Sequence, residues 1–171
     1  GSWTVLECCR KSRRIKAVVI ASSDKAYGSH KELPYKEEAS LRGDHPYDVS
    51  KSCADLIAYT YYNTYALPAA VTRCGNIYGP GDFNFSRIVP DAILCMLSGR
   101  TLKIRSDGKF TRDYVYVSDV VDGYLRLALN LLKGKFAGES FNFSNEELTW
   151  CQNNIKDKQA AIVAKSQERE D

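Results

Sequence analysis

Ala17-Val-Val-Ile-Ala-Ser-Ser-Asp-Lys-Ala-Tyr-Gly28 is the stretch that decides how this chain folds. It opens as an apolar, β-branched run and closes on hydroxyl, carboxylate, amine and phenol groups before a glycine. A continuous run of this kind predicts a strand buried on both faces, as in a parallel sheet. The polar cluster then falls just past the carboxyl end of that strand. It reads either as an ordinary polar turn with a surface ion pair, or as proton donors and acceptors aimed into a cleft.

The flanks supply the rest of the pattern. Residues 3–12 predict a short helix, with Val5, Leu6 and Cys9 at helical spacing. Residues 28–45, rich in Gly, Pro, His and charge, predict a surface loop. A second helix follows, with Asp44 as its expected cap and Pro46 in its first turn. Val49, Cys53, Leu56, Ile57 and Thr60 form its expected buried face. Pro68 ends it, because a proline disfavours helix in the residue before it. Pro68-Ala-Ala-Val-Thr-Arg73 predicts the next strand. Helix, strand, helix, strand is the order of parallel crossovers, hence an α/β fold.

Beyond Gly79-Pro-Gly81 the texture changes. Residues 86–98 predict a helix, residues 102–105 and 114–117 alternate like strands, and residues 118–132 predict an amphipathic helix with Ser118 as its cap. Phe141-Asn-Phe143 predicts a further short strand, and the polar stretch 149–171 a weakly docked tail.

Bulk properties narrow the function. The chain has 171 residues, 44% hydrophobic and 26% charged, as expected for a globular domain with a real core. No run approaches the ~20 apolar residues of a membrane span, and no signal peptide is evident. The net charge of +3 does not point to nucleic acid. The basic cluster Arg10-Lys-Ser-Arg-Arg-Ile-Lys16 lacks the interleaved aromatics of a base-stacking surface and reads as a solvated helix end. The six cysteines show no CxxC pair, and with two histidines the composition argues against a metal site. Reduced, mostly buried thiols in a cytoplasmic protein are expected.

One pair adds chemistry. Tyr47 and Lys51 lie one turn apart on a single helix face. An ammonium beside a phenol favours phenolate and equips the pair to act as a general base; an exposed helical pair is the plainer alternative. Ser23-Asp24-Lys25 and Gly75-Asn76 follow successive parallel strands, and the crevice outside such strand ends is where α/β proteins bind ligands.

Ser22-Ser-Asp-Lys-Ala-Tyr-Gly28, Tyr47-Asp-Val-Ser-Lys51, Thr72-Arg-Cys-Gly-Asn-Ile-Tyr-Gly-Pro80, Thr111-Arg-Asp-Tyr-Val-Tyr-Val-Ser-Asp119 and Phe141-Asn-Phe-Ser-Asn145, in this order, resemble the extended short-chain dehydrogenases/reductases that act on nucleotide sugars. The resemblance implies a partial Rossmann-type doubly wound parallel sheet with a small α/β substrate-binding region. Residues 1–80 would be the C-terminal half of an NAD-binding domain, residues 81–148 a substrate-binding region with sheet-completing segments, and residues 149–171 a polar tail. It implies NAD rather than NADP as cofactor, a nucleotide-diphosphate sugar as partner, and a homodimer in the full-length parent.

The resemblance also implies roles. Tyr47 takes the proton from the sugar 4-hydroxyl, Lys51 holds the nicotinamide ribose and tunes Tyr47, and Ser23 shares the bond to the 4-oxygen. Ser22 joins Tyr47 and Lys51 on the cofactor side. Asn76, Arg87 and Arg112 meet the substrate, where an Arg fork suits a diphosphate. Asp24-Lys25 resembles the CDP-glucose 4,6-dehydratases, as does Phe85-Ser-Arg-Ile-Val-Pro-Asp91. A dehydratase needs an acid for the leaving 6-hydroxyl and a base for the C5 proton. Asp24 as the acid and Lys25 as the base is the first assignment, the reverse the second. A 4-epimerase of the same fold and a non-catalytic interaction module are the alternatives.

The family's glycine-rich strand–turn–helix is not found in the sequence, and Gly79-Pro-Gly81 does not replace it, because it opens no helix. The chain therefore resembles a fragment lacking the dinucleotide's main seat, expected neither to bind NAD tightly nor to turn over alone, with Val18–Ile20 on an open sheet edge.

Overall fold

The computed structural model describes residues 1–12, 14–30, 33–144 and 149–150. Arg13, Cys151 and all but the start of the expected tail lie outside the described residues.

The chain divides into two compact units, residues 1–77 with 115–144, and residues 78–114 with 145–171. The first unit is built on a parallel sheet. Strand β1 (Val18–Ser23) pairs with β2 (Ala69–Cys74) from Val18 opposite Ala69 to Ser23 opposite Cys74. Strand β2 pairs in turn with β6 (Ser140–Phe143), from Val71 opposite Ser140 to Cys74 opposite Phe143. The strand order β1-β2-β6 leaves β2 central and buried along its whole length. This is the α/β arrangement that the order of elements predicts.

Helices cover both faces. Helix α1 (Ser2–Lys11) and helix α2 (Pro46–Tyr65) pack on one, where Leu6, Ala58, Tyr61 and Leu67 meet Ile20, Ala69 and Val71. Helix α4 (Val117–Leu132) packs on the other. There Leu127 and Leu131 cover Ala70, and Val115 and Val120 cover Cys74. Alternate β2 residues thus serve opposite cores, as the two-residue repeat of a strand requires. Gly123 lets α4 approach closely: a Cβ there would lie 2.4 Å from the Phe143 ring.

Three expectations for α2 and α4 need correction. The α2 face carrying Val49, Cys53 and Leu56 is exposed, and the buried face is Ser52, Ala54, Asp55, Ala58 and Tyr61. Small side chains bring the helix close to the sheet, and Asp55 is buried because it meets an arginine there. The residue capping α2 is His45, whose amide donates to the Asp48 carboxylate at 3.3 Å. Asp44 instead accepts from the Ser29 amide at 3.0 Å. Helix α4 starts one residue before Ser118, with Tyr116 at the cap position; Ser118 lies in its first turn and bonds to Asp119 at 3.4 Å.

In the second unit, α3 (Ile88–Leu97) buries Pro90, Ala92 and Cys95. Strand β4 (Thr111–Arg112) pairs antiparallel with β7 (Thr149–Trp150). The strand expected over residues 102–105 does not form, since alternation alone supplies no partner ladder. Strands β3 (Asn76–Tyr78) and β5 (Tyr114–Tyr116) form a separate two-stranded sheet. Of the described cysteines, Cys74 and Cys95 are buried, Cys9 is half-buried, and Cys8 and Cys53 are exposed, so thiol burial is less general than composition suggests.

Candidate active site

Strand β1 ends at Ser23 and passes straight into a one-turn 3-10 helix, Asp24–Tyr27. Ser23 caps that turn: its hydroxyl accepts from the Lys25 amide at 3.3 Å. The same hydroxyl donates to Asp24 Oδ1 at 2.9 Å. Lys25 Nζ closes an ion pair on Asp24 Oδ2. Hydroxyl, carboxylate and ammonium are thus chained in sequence, running from buried Ser23 to half-exposed Lys25.

Gly28 makes the turn possible. Its φ is +67°, and a Cβ there would lie 1.8 Å from the Arg42 carbonyl oxygen. The Arg42 amide returns the chain by donating to the Ala26 carbonyl at 3.2 Å.

Helix α2 brings the second pair to the same strand end. Lys51 Nζ donates to the Ala21 carbonyl at 3.2 Å, and the Ser22 hydroxyl donates to the Lys51 carbonyl at 3.3 Å. The ammonium lies 5.6 Å from the centre of the Tyr47 ring. Tyr47 itself is 56% exposed. Ser22, Ser23, Asp24, Lys25, Lys51 and Tyr47 therefore gather at the carboxyl end of β1. Cys74, opposite Ser23 on β2, registers the electrostatics beneath them. Burial pushes its thiol up, hydrogen bonds with Tyr124 and Thr72 pull it down, and the charges of Asp24 and Lys51 act in opposite directions.

Asn76 begins β3, just past the end of β2. Arg87 and Arg112 belong to the second unit. Arg87 stands at the start of α3 with its guanidinium 3.1 Å from Asp82. The Arg112 guanidinium lies 5.1 Å from the centre of the Phe110 ring.

A buried polar network that no sequence motif announces lies behind the turn. Arg73 forks onto Asp55, at 2.8 Å through Nε and 3.0 Å through Nη2. Its Nη1 donates to the Tyr27 hydroxyl at 2.7 Å and to the Glu37 carbonyl at 2.8 Å. Tyr27 donates onward to Asn142 Oδ1 at 2.7 Å. An arginine inside an otherwise apolar buried strand is the signal that marks it, since a buried charge requires a partner.

The arrangement offers an exposed phenol beside a cation and a chained hydroxyl, carboxylate and ammonium at a strand end. These are groups for moving protons at a hydroxyl-bearing substrate. Lys51, Tyr47 and Ser22 also supply donors and acceptors suited to a cofactor ribose.

The comparisons agree with this geometry. The model of the NAD-dependent epimerase/dehydratase family matches residues 1–143. The chain is 32% identical over 127 residues to a trifunctional UDP-glucose 4,6-dehydratase/UDP-4-keto-6-deoxy-D-glucose 3,5-epimerase/UDP-4-keto-L-rhamnose-reductase of Arabidopsis thaliana, covering 72% of this chain and 19% of that one. It is 30% identical over 149 residues to the dTDP-D-glucose 4,6-dehydratase of Homo sapiens, covering 86% of this chain and 41% of that one. Its fold matches the crystal structure of dTDP-glucose 4,6-dehydratase from Bacillus anthracis in complex with NAD. The TM-score is 0.81 and the identity 31%, over 91% of this chain and 48% of that one. The chain thus spans less than half the length of these relatives. Its parallel sheet and covering helices are part of a Rossmann-type α/β fold, and the chain belongs to the NAD-dependent epimerase/dehydratase family.

Proposed function

We propose that this chain carries the proton-handling half of a nucleotide-sugar 4,6-dehydratase. The observation that carries the reading is the Ser23–Asp24–Lys25 chain at the end of β1, beside Lys51 and Tyr47. Lys51, Tyr47 and Ser22 would hold the nicotinamide ribose, and NAD, when bound, would supply the hydride chemistry, taken up at C4 and returned at C6 after the elimination. Tyr47 takes the proton from the sugar 4-hydroxyl, with Ser23 bonded to the same oxygen. Elimination across C5–C6 then needs a proton removed at C5 and one delivered to the leaving 6-hydroxyl. Asp24 as donor and Lys25 as acceptor is one assignment, and it requires the Lys25 proton to pass first to Asp24 across their ion pair. In the exchanged roles the Lys25 ammonium donates and the Asp24 carboxylate accepts, starting from the ion pair as it stands.

Asn76, Arg87 and Arg112 would engage the sugar nucleotide, with cytidine as the base suggested by Asp24-Lys25. Residues 81–148 would supply the substrate-binding region together with sheet-completing segments, and residues 1–80 an NAD-binding half. The parent would be a cytoplasmic homodimer. Among the described residues, no helix is long and apolar enough to cross a membrane. The glycine-rich diphosphate turn is not among these 171 residues. Residues 1–171 by themselves are therefore expected to bind no NAD at micromolar concentration by calorimetry; saturable binding would overturn that part.

A 4-epimerase needs only the reversible oxidation at C4, and Asp24-Lys25 would then be spare. The deciding test is Lys25→Met in protein joining these residues to a dinucleotide-binding half. The 4-keto-6-deoxy product should fall by about 10²–10⁴-fold, the range of a lost general acid or base. Product at the wild-type rate would contradict the role.

A further inference from the structure

The side chains of Asp24 and Lys25 bond to Ser23 and to each other. Asp24 meets the sheet at Ser23, the last residue of β1, and Lys25 meets it through Asp24, so the backbone of their turn sets where Lys25 points. That backbone is held from behind. The Ala26 carbonyl accepts from the buried Ser52 hydroxyl at 2.8 Å and from the Arg42 amide. Tyr27, the last residue of the turn, is fully buried although Lys25 is half-exposed.

We infer that Tyr27 is a positioning residue, whose phenol latches the Asp24–Lys25 turn to strands β2 and β6. The hydroxyl accepts from Arg73 on β2 and donates to Asn142 on β6, each at 2.7 Å. Arg73 is fixed in turn by its fork on Asp55 of α2. Asn142 Nδ2 donates to the Tyr35 carbonyl at 2.8 Å, and its amide to Glu37 Oε1 at 2.9 Å. The Tyr35 hydroxyl completes the ring by donating to the Gly28 carbonyl at 2.9 Å. The Tyr35 ring lies 4.9 Å from that of Tyr27, centre to centre. The Tyr27 oxygen thus joins the turn to β2 and β6, and Arg73 and Asn142 carry the link on to helix α2 and to the loop after the turn. A phenylalanine would fill the same space but could not make either bond. The latch bears on catalysis only through the dehydratase reading of Asp24 and Lys25.

Tyr27→Phe tests the latch without cofactor or substrate, so its failure leaves the dehydratase reading standing. Hydrogen exchange is followed at the Lys25, Gly28 and Arg42 amides, which bond within and across the turn. Losing hydrogen bonds to a charged partner should speed exchange there by about tenfold or more, with β2 amides slowed or quickened only as overall stability changes. The second readout is the ¹³C-dimethyl resonance of Lys25, assigned with Lys25→Arg and referenced to Asp24→Asn, which breaks the ion pair. In Tyr27→Phe the resonance should move toward that reference. Asn142→Ala, which leaves the Tyr27 ring untouched, should give the same local pattern, and the double variant little more. Loosening spread evenly over β2 and α2 would show Tyr27 to be a general core residue. An unmoved Lys25 resonance with wild-type exchange in the turn would equally overturn the latch.

Discussion

Removing Asp55 should be among the most damaging single changes in this chain. Its carboxylate and the Arg73 guanidinium are 4% and 6% exposed, and two hydrogen bonds of 2.8 and 3.0 Å join them. Asp55→Ala leaves the guanidinium buried with the neutral Tyr27 hydroxyl and ring and the Glu37 carbonyl as partners, and no counter-charge among them. An uncompensated buried charge of this kind costs about 3–5 kcal/mol, a large share of the roughly 5–15 kcal/mol that holds a domain folded. With a urea dependence of about 2 kcal/mol per molar, the unfolding midpoint should drop by roughly 2 M. Asp55→Leu combined with Arg73→Met removes both charges, and apolar pairs often replace such ion pairs without net loss. The double variant should therefore recover at least about 1 M of that drop. Urea melts of the wild type and both variants at neutral pH decide the matter. A midpoint for Asp55→Ala within about 0.3 M of wild type, equivalent to about 0.6 kcal/mol at that slope, would refute the claim that the fork neutralises a buried charge. A double variant as damaged as Asp55→Ala would refute the reasoning about desolvation.

The remaining predictions concern the turn and the opposite core. Gly28→Ala places a side chain at φ +67° and ψ −144°, against the Arg42 carbonyl. Backbone strain alone is expected to cost about 1–3 kcal/mol, and the contact with the Arg42 carbonyl adds to it, both read as a lowered thermal midpoint; an unchanged midpoint would show that the turn is not fixed. Burial pushes the Tyr124 phenol up to about 12 from 10.0. The folded chain then holds this proton after the unfolded chain has lost it, so stability present below pH 10 should be lost as pH rises toward 12. Tyr124→Phe should make that decline shallower by about 2 kcal/mol, and parallel urea midpoints from pH 9 to 12 for both proteins would contradict it.

Much of this was legible in the residues. Val18–Ile20 and Ala69–Val71 are apolar runs too short for helices, and each is flanked by helical spacing, so the parallel sheet follows. Ser22–Lys25 and Tyr47/Lys51 could be placed at a strand end and on a helix because polar clusters after apolar strands have few other positions. The packing of α2 was not legible. Hydrophobicity favours the Val49–Cys53–Leu56 face, whereas close approach to the sheet favours Ser52, Ala54 and Ala58. Asp55 and Arg73 explain each other only once folded, because residues far apart in sequence reveal a pairing only through the tertiary structure. The cap of α2 went astray for a related reason: Asp44 has the better capping side chain, but the returning loop presents the Ser29 amide to it.

The most direct test of the central claim is the mass of the product. Protein joining these residues to a glycine-rich dinucleotide-binding half would be incubated with NAD and CDP-, dTDP- or UDP-glucose in turn. With one of these sugars the product should be lighter than its substrate by one water, as elimination across C5–C6 and return of the hydride at C6 require, and Lys25→Met should slow that loss by about 10²–10⁴-fold. Conversion to a product of unchanged mass would show an epimerase and contradict the dehydratase reading.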